Sequence, residues 1–228
     1  MNNLANVITC VSLVCGLASI IFSIESRASF AAWAIIFSVI LDGIDGLVAR
    51  ANFASSDFGK ELDSLADIVC FGVAPAVLCY VFMPLPGGFF LITLALFAYL
   101  ICCMLRLAKY NITAKKKSAD YFLGLPVTAS GGILAAFVLV HVQHLMMPSK
   151  GIFFSLILVL SFLMVSNIKY LNLRGLRQAF GDKKFKYIAA VMFVFLLFSP
   201  VDIIFLLFAF YLAVVPSFSG KVLSNKSS

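Results

Sequence analysis

The chain has 228 residues, of which 63% are hydrophobic and only 12% are charged. A water-soluble domain carries about 25% charged residues, so this composition excludes an ordinary soluble enzyme or binding domain. The formal net charge of +7 is distributed between apolar runs that approach the roughly 20 residues needed to cross a bilayer core. The sequence therefore predicts an all-α, polytopic membrane helix bundle that has membrane lipids, and no nucleic acid, as partners.

The hydrophobic runs and their breaks predict about eight transmembrane helices, near residues 5–24, 29–50, 60–82, 88–109, 124–146, 151–170, 186–199 and 201–216. Pro84 and Pro86, together with Gly87 and Gly88, cannot continue a helix, and the same holds for the segment 146–151. Only Ser199-Pro200 separates the last two spans, so residues 186–216 could instead form one kinked helix. No soluble insertion is evident, and residues 1–228 are predicted to form a single integral membrane domain.

The basic residues predict the orientation of the bundle. In the eight-span arrangement, 15 of the 17 Lys and Arg residues lie on one side, and only Arg27 and Lys150 lie on the other. Loops rich in Lys and Arg stay in the cytoplasm. We therefore expect a cell-membrane protein with both termini in the cytoplasm, where most of the basic residues contact lipid headgroups.

The acidic residues are concentrated, because six of the ten lie within residues 42–67. Asp42 and Asp45 are three residues apart, and Asp63 and Asp67 are four apart, so each pair shares a helix face. A short link lets the two helices run antiparallel, which brings both pairs to one cavity on the cytoplasmic side. Carboxylates within membrane helices are expensive, and they indicate a functional site.

A cation must offset these four aspartates, because their mutual repulsion reaches several kcal/mol at a moderate effective dielectric. Arg50 and Lys60 are the only basic residues nearby in the sequence. A hard divalent ion held by oxygen ligands is the natural counter-charge. The alternative to metal binding is that a carboxylate is an ordinary solvated charge, and we expect this for Asp57 and Glu61. Small residues on the same helix faces leave room for a ligand, namely Gly46, Ala49 and Gly59.

Taken together, these residues form the pattern Asp42-x2-Asp45-Gly46-x2-Ala49-Arg50-x8-Gly59-x3-Asp63-x3-Asp67. This pattern resembles the full signature of the CDP-alcohol phosphotransferase family. The resemblance implies a six-helix core, which would cover about residues 1–175. It leaves about residues 186–216 as additional C-terminal helices and 217–228 as a tail, and it implies a homodimer.

Three further stretches are similar to the branch of that family whose acceptor is L-serine: "LDSLADIVCFGVAPA" (62–76), "RLAKYN" (106–111) and "GLPVTASGG" (124–132). The start of the chain resembles the opening Pro-Asn-x-x-Thr-x-x-Asn of that branch. Ala5 stands in place of the proline and Ser12 in place of the second asparagine. Only Asn6 and Thr9 match, so only these two are expected on the nucleotide side.

The resemblance implies transfer of a phosphatidyl group from CDP-diacylglycerol, or an ether-lipid analogue, to L-serine, giving phosphatidylserine and CMP on the cytoplasmic side. It implies two divalent ions, Mg²⁺ or Mn²⁺, with Ca²⁺ as a bound substitute. Asp42, Asp45 and Asp63 would bind metal, and Asp67 would lie near the second ion and act as general base. The expected donor-binding residues are Asn6, Thr9, Gly46, Ala49, Arg50 and Gly59.

The acceptor would present a carboxylate, and a buried carboxylate needs a fixed cation. Arg106 is the candidate because its guanidinium can form two parallel hydrogen bonds to a carboxylate. Asn111 and Thr128 are weaker candidates for the same pocket. The alternative for Arg106 is an interface anchor whose charged head reaches water.

Two other functions stay open at the level of sequence. A sister enzyme with glycerol phosphate or inositol phosphate as acceptor would need more cations beside Asp67 than Arg106 and Lys109 supply. A divalent-cation transporter would need carboxylates along a path to both sides of the membrane, and the non-cytoplasmic half offers only Glu25 and Asp202.

Overall fold

The computed structural model of the chain describes residues 3–51, 57–83, 89–113, 121–171, 201–202, 204–209 and 211. Its elements are α1 (Asn3–Ile24), α2 (Ala28–Ala51), α3 (Asp57–Asp67), a π-helical segment (Ile68–Val73), α4 (Ala74–Phe82), α5 (Phe89–Thr113), β1 (Tyr121–Leu123), α6 (Val127–Gln143), α7 (Lys150–Val165) and β2 (Lys169–Leu171). Within these described ranges, four helical stretches are long and apolar enough to cross a membrane: Ala5–Ile24, Ala28–Gly46, Phe58–Phe82 and Phe90–Ile112. The prediction of an all-α membrane bundle is confirmed.

The first six predicted spans coincide with helices, although the fifth and sixth are shorter than expected. The helices α6 and α7 have 17 and 16 residues. The predicted helical ends at residues 124–126 and 166–170 were wrong, because Gly124 has a φ of +76° and Pro126 precedes α6 with extended backbone. The seventh span lies outside the described residues, and the eighth is helical at every position that the structure describes.

A short antiparallel ribbon takes the place of those helix ends. Phe122 of β1 lies opposite Tyr170 of β2, and the Gly124 N–H donates to the carbonyl oxygen of Ile168 at 2.8 Å. A side chain at Gly124 would collide with the Met164 carbonyl oxygen. The ribbon therefore fixes the start of α6 against the end of α7.

The antiparallel helices define two ends of the bundle. Arg27, Phe82, Val142 and Met147 line one common pocket, so the α1–α2 turn, the end of α4 and the α6–α7 turn share an end, here called the opposite end. The last residues of α2 and α5, the start of α3 and the ribbon lie at the other end, here called the site end. All four predicted aspartates lie toward the site end.

The third helical stretch contains a π-helical turn that the sequence analysis did not predict. Pro75 has no N–H, so the carbonyl of Phe71, four residues earlier, loses its α-helical donor. The Ala74 N–H bonds instead to the Val69 carbonyl, five residues back. The Tyr99 hydroxyl of α5 donates to the freed Phe71 oxygen at 2.8 Å. The π turn, which begins directly after Asp67, is thus satisfied by a side chain from another helix.

Two glycines let neighbouring helices approach this π segment closely. A Cβ at Gly131 of α6 would lie 2.9 Å from the Cα of Phe71, and a Cβ at Gly16 of α1 would lie 3.0 Å from the Cα of Cys70. The Cys70 thiol donates to the Ser12 carbonyl at 3.2 Å. Any larger residue would force these backbones apart, so the position of the segment after Asp67 is fixed from two sides.

Candidate functional site

Three aspartates meet at the site end. Asp42 of α2 and Asp63 and Asp67 of α3 each offer a carboxylate oxygen, and these oxygens all lie within 4.8 Å of one another. The three residues, here called the aspartate cluster, are half-buried. The spacing along the two helices therefore brings together three of the four predicted metal ligands.

Asp45, the fourth, lies beside the cluster in a different environment. It is 7% exposed, and the Thr9 hydroxyl of α1 donates to its Oδ2 atom at 3.0 Å. Asp45 lies close enough to repel Asp42 and Asp63. Thr9, predicted on the nucleotide side, thus orients a carboxylate in this structure, and Asn6 lies on the same helix beside an apolar groove that includes Cys10.

Arg106 supplies a positive charge beside the cluster. It is only 8% exposed, it interacts electrostatically with Asp42 and Asp67, and its guanidinium carbon lies 5.0 Å from the centre of the Tyr110 ring. A snorkelling anchor keeps its charged head in water, so this burial argues against that alternative. One guanidinium cannot neutralise four carboxylates, and the remaining negative charge fits hard divalent cations.

The other two predicted acceptor residues differ in their placement. The Asn111 amide donates to the Ser64 hydroxyl at 2.9 Å, so Asn111 joins the end of α5 to α3 beside Asp63. Thr128 lies half-buried in the first turn of α6. Among the described residues, no hydrogen bond connects the Thr128 side chain to Arg106.

The predicted donor residues on α2 and α3 are placed only in part. Gly46 is half-buried next to Asp45, and Gly59 is half-buried one turn before Asp63. The backbone of Ala49 and Arg50 is helical, but their side chains lie outside the described residues. The roles of these four residues stay predictions.

Sequence reasoning missed several tyrosines at the site. Tyr110 follows Arg106 by four residues, and this helical spacing was a usable signal. Tyr99 supports the π segment, and Pro75 in an apolar span was the available hint. Tyr211 lies close enough to Arg106 to interact with it, although no local pattern relates two residues so far apart in the chain.

At the opposite end, the described acidic side chains lie beside local basic or histidine side chains. Glu25 lies 3.4 Å from Arg27, and Asp202 lies 3.0 Å from His144. Neither adjoins the aspartate cluster, because the bundle separates the two ends. Among the residues that the structure describes, the carboxylates therefore form no continuous path between the two ends of the bundle.

Comparisons with a family model and with individual proteins point to the same family. The model of the CDP-alcohol phosphatidyltransferase family matches residues 2–166. A CDP-diacylglycerol–serine O-phosphatidyltransferase of Helicobacter pylori is 35% identical over 175 residues, which are 75% of this chain and 73% of that protein. Proteins of the same name from Bacillus subtilis and Methanocaldococcus jannaschii are 37% and 35% identical; the alignments cover 75% and 82% of this chain and 90% and 80% of those proteins.

Proposed function

The chain belongs to the CDP-alcohol phosphatidyltransferase family, and we propose that it transfers the phosphatidyl group of CDP-diacylglycerol, or of an ether-lipid analogue, to L-serine. The products are phosphatidylserine and CMP. The observation that carries this proposal is the aspartate cluster with a buried arginine beside it, in a chain whose relatives bear the name of that reaction.

The carboxylates suit divalent metal. Asp42, Asp63 and Asp67 place three oxygens within 4.8 Å of one another, and Asp45 adds a fourth carboxylate beside them. We expect these residues to hold two divalent ions, Mg²⁺ or Mn²⁺. Ca²⁺ can occupy the same site as a substitute. Bound metal would supply charge neutralisation for the diphosphate of the donor and for the departing CMP.

The donor side of the site lies on α1, α2 and the start of α3. Gly46 and Gly59 present backbone without side chains, which allows a nucleotide to approach closely. Asn6, Thr9 and Ala49 are the remaining candidates near the cytidine. Arg50 is the candidate for the donor phosphates.

The acceptor side lies between Asp67 and Arg106. These two residues are close enough to interact, so one small amino acid can contact both. The serine carboxylate would pair with the Arg106 guanidinium, and the serine hydroxyl would face Asp67. As the hydroxyl oxygen bonds to phosphorus, Asp67 takes its proton, and the bond between phosphorus and the CMP oxygen breaks. Asn111 and Thr128 remain candidates for the rim of this pocket.

Orientation and assembly complete the proposal. The basic residues favour a cytoplasmic site end with both termini in the cytoplasm. A tag at the C-terminus should then be cleaved by added protease in inside-out vesicles and protected in right-side-out vesicles. By family resemblance we expect a homodimer, which light scattering of the detergent-solubilised protein would test.

An acceptor panel tests the function. Purified protein is given CDP-diacylglycerol, Mg²⁺ or Mn²⁺, and L-serine, glycerol phosphate, inositol phosphate or inositol, and CMP release is measured. We expect release to depend on L-serine and on metal. Release driven by a phosphorylated acceptor instead of serine would contradict the proposal. Glu61→Gln, which neutralises an exposed carboxylate on α3, is the matched control for the aspartate variants and should keep full activity.

A further inference from the structure

Two buried polar atoms at the site end lack hydrogen-bond partners among the described residues. They are Arg106 Nε and Tyr170 Oη; the third such atom, Ser19 Oγ, lies on α1. Arg106 is 8% exposed and Tyr170 is 0% exposed. Leaving a buried polar atom unpaired costs stability. An unpaired donor and an unpaired hydroxyl in one region therefore indicate a site where a bound ligand supplies the missing hydrogen-bond partners.

Contacts between α5 and the end of α7 bring these two residues to the same region. The Cys103 thiol lies 3.6 Å from the Met164 sulfur, and the Lys109 ammonium donates to the Asn167 side chain at 2.9 Å. Both contacts flank Arg106 along α5. Tyr170 lies three residues after Asn167, in β2, so its buried ring lies close to this part of α5.

A second tyrosine completes the arrangement. The Tyr211 ring stacks on the Tyr170 ring, with 5.7 Å between the ring centres and 30° between their planes. Tyr211 is half-buried and also interacts with Arg106. Tyr211 therefore links the two residues that carry the unpaired atoms, through its ring contact with Tyr170 and its interaction with Arg106.

Tyr211 reaches this place because the described residues between 201 and 211, here called the C-terminal segment, run along α6 from the opposite end. Asp202 contacts His144 at 3.0 Å, and the Phe205 ring lies 6.3 Å from the Phe137 ring. The direction is antiparallel to α6, so the segment ends at the site end. The family match stops at residue 166, and both Tyr170 and Tyr211 lie beyond it.

We propose that Tyr170 and Tyr211 complete the acceptor pocket around Arg106 and select the amino acid that enters it. The Tyr170 hydroxyl oxygen accepts a hydrogen bond from the acceptor ammonium, and the Tyr211 ring forms the wall that holds Tyr170 in place. This inference rests on the proposed function for the identity of the acceptor. With the carboxylate at Arg106 and the hydroxyl at Asp67, the ammonium at Tyr170 is a third fixed point. Three fixed points distinguish L-serine from D-serine.

The test compares Tyr170→Phe and Tyr211→Leu with Tyr80→Phe, which removes a hydroxyl from an exposed tyrosine on α4. Initial rates give the KM for L-serine and D-serine, and equilibrium binding of CDP-diacylglycerol reports on the donor side and on folding. We expect Tyr170→Phe to raise the KM for L-serine about 3- to 10-fold, the size of one lost hydrogen bond. The preference for L-serine over D-serine should narrow by a similar factor, with donor binding unchanged.

An unchanged KM and an unchanged enantiomer preference in Tyr170→Phe that binds donor normally would overturn the inference. Tyr211→Leu should raise the KM further, and if it fails to bind donor because it misfolds, Tyr170→Phe alone decides. Should wild-type protein use another acceptor, the proposed function fails, and the same variants are measured with that acceptor. A raised KM for it would then support the pocket, and an unchanged KM would overturn it.

Discussion

The aspartate cluster and the pocket around Arg106 lie at the same end of the bundle but are assembled differently. Asp42, Asp63 and Asp67 come from one short stretch on two consecutive helices, and helical spacing alone places them on facing surfaces. Arg106, Tyr170 and Tyr211 come from α5, the ribbon and the C-terminal segment. The local sequence is therefore sufficient to bring the aspartates together, whereas the shape of the pocket around Arg106 depends on tertiary packing.

The largest expected effect comes from removing charge from the metal-binding half. Asp42→Asn, Asp45→Asn and Asp63→Asn each keep the side-chain shape and remove one ligand charge, so we expect each to abolish turnover. A chelator should do the same to wild-type protein, and added Mg²⁺ should restore activity. Steady-state CMP release measures both, with Glu61→Gln as the control. Full activity in metal-free protein would refute the role assigned to the cluster.

Asp67 lies in the cluster and also adjoins the acceptor side, so its substitution separates chemistry from binding. Asp67→Asn should lower turnover by about 100-fold or more, within the range for losing a general base. Binding of CDP-diacylglycerol should weaken much less, because Asp67 is mainly a base in this account. Donor binding as poor as in Asp42→Asn would make Asp67 chiefly a metal ligand.

Substitutions in the acceptor pocket should change the KM for serine and leave the KM for CDP-diacylglycerol nearly unchanged. Arg106→Lys replaces a two-pronged donor with a point charge, and losing a charge-assisted hydrogen bond of about 1.5–3 kcal/mol raises the KM for serine about 10- to 150-fold. The KM for CDP-diacylglycerol should barely change. Serinol, which lacks the carboxylate, should be a poor acceptor for wild type and lose little more in the variant. Equal losses with serine and serinol would remove Arg106 from the carboxylate site.

The smallest expected effect is at the π segment that follows Asp67. Tyr99→Phe leaves the Phe71 carbonyl without its 2.8 Å partner. Interhelical hydrogen bonds in membranes contribute about 0.6 kcal/mol on average and up to about 1.7 kcal/mol. We expect a stability loss in that range and a few-fold fall in turnover, measured by thermal unfolding in detergent and by CMP release. Stability and turnover equal to those of wild-type protein would show that the bond to Phe71 is dispensable.

The sequence was sufficient for the features that depend on composition and local periodicity. The bundle, the first six helices and the convergence of Asp42, Asp63 and Asp67 could be predicted because helical repeats place side chains one turn apart. The ribbon could not be predicted from apolar runs, because the apolar sequence continues through Gly124. The helix is excluded there by the positive φ of Gly124, which only the structure reveals. The contact of Thr9 with Asp45 and the stacking of Tyr170 on Tyr211 join distant segments. No local pattern specifies such pairs.

The most direct test of the central claim is the stoichiometry of transfer. Purified protein is incubated with CDP-diacylglycerol, Mg²⁺ and labelled L-serine, and label recovered in the lipid fraction is compared with CMP released. We expect one serine incorporated into lipid for each CMP released, with both products lost in chelator and in Asp63→Asn. CMP released without label in lipid would mean hydrolysis, and it would contradict the transfer of a phosphatidyl group to serine.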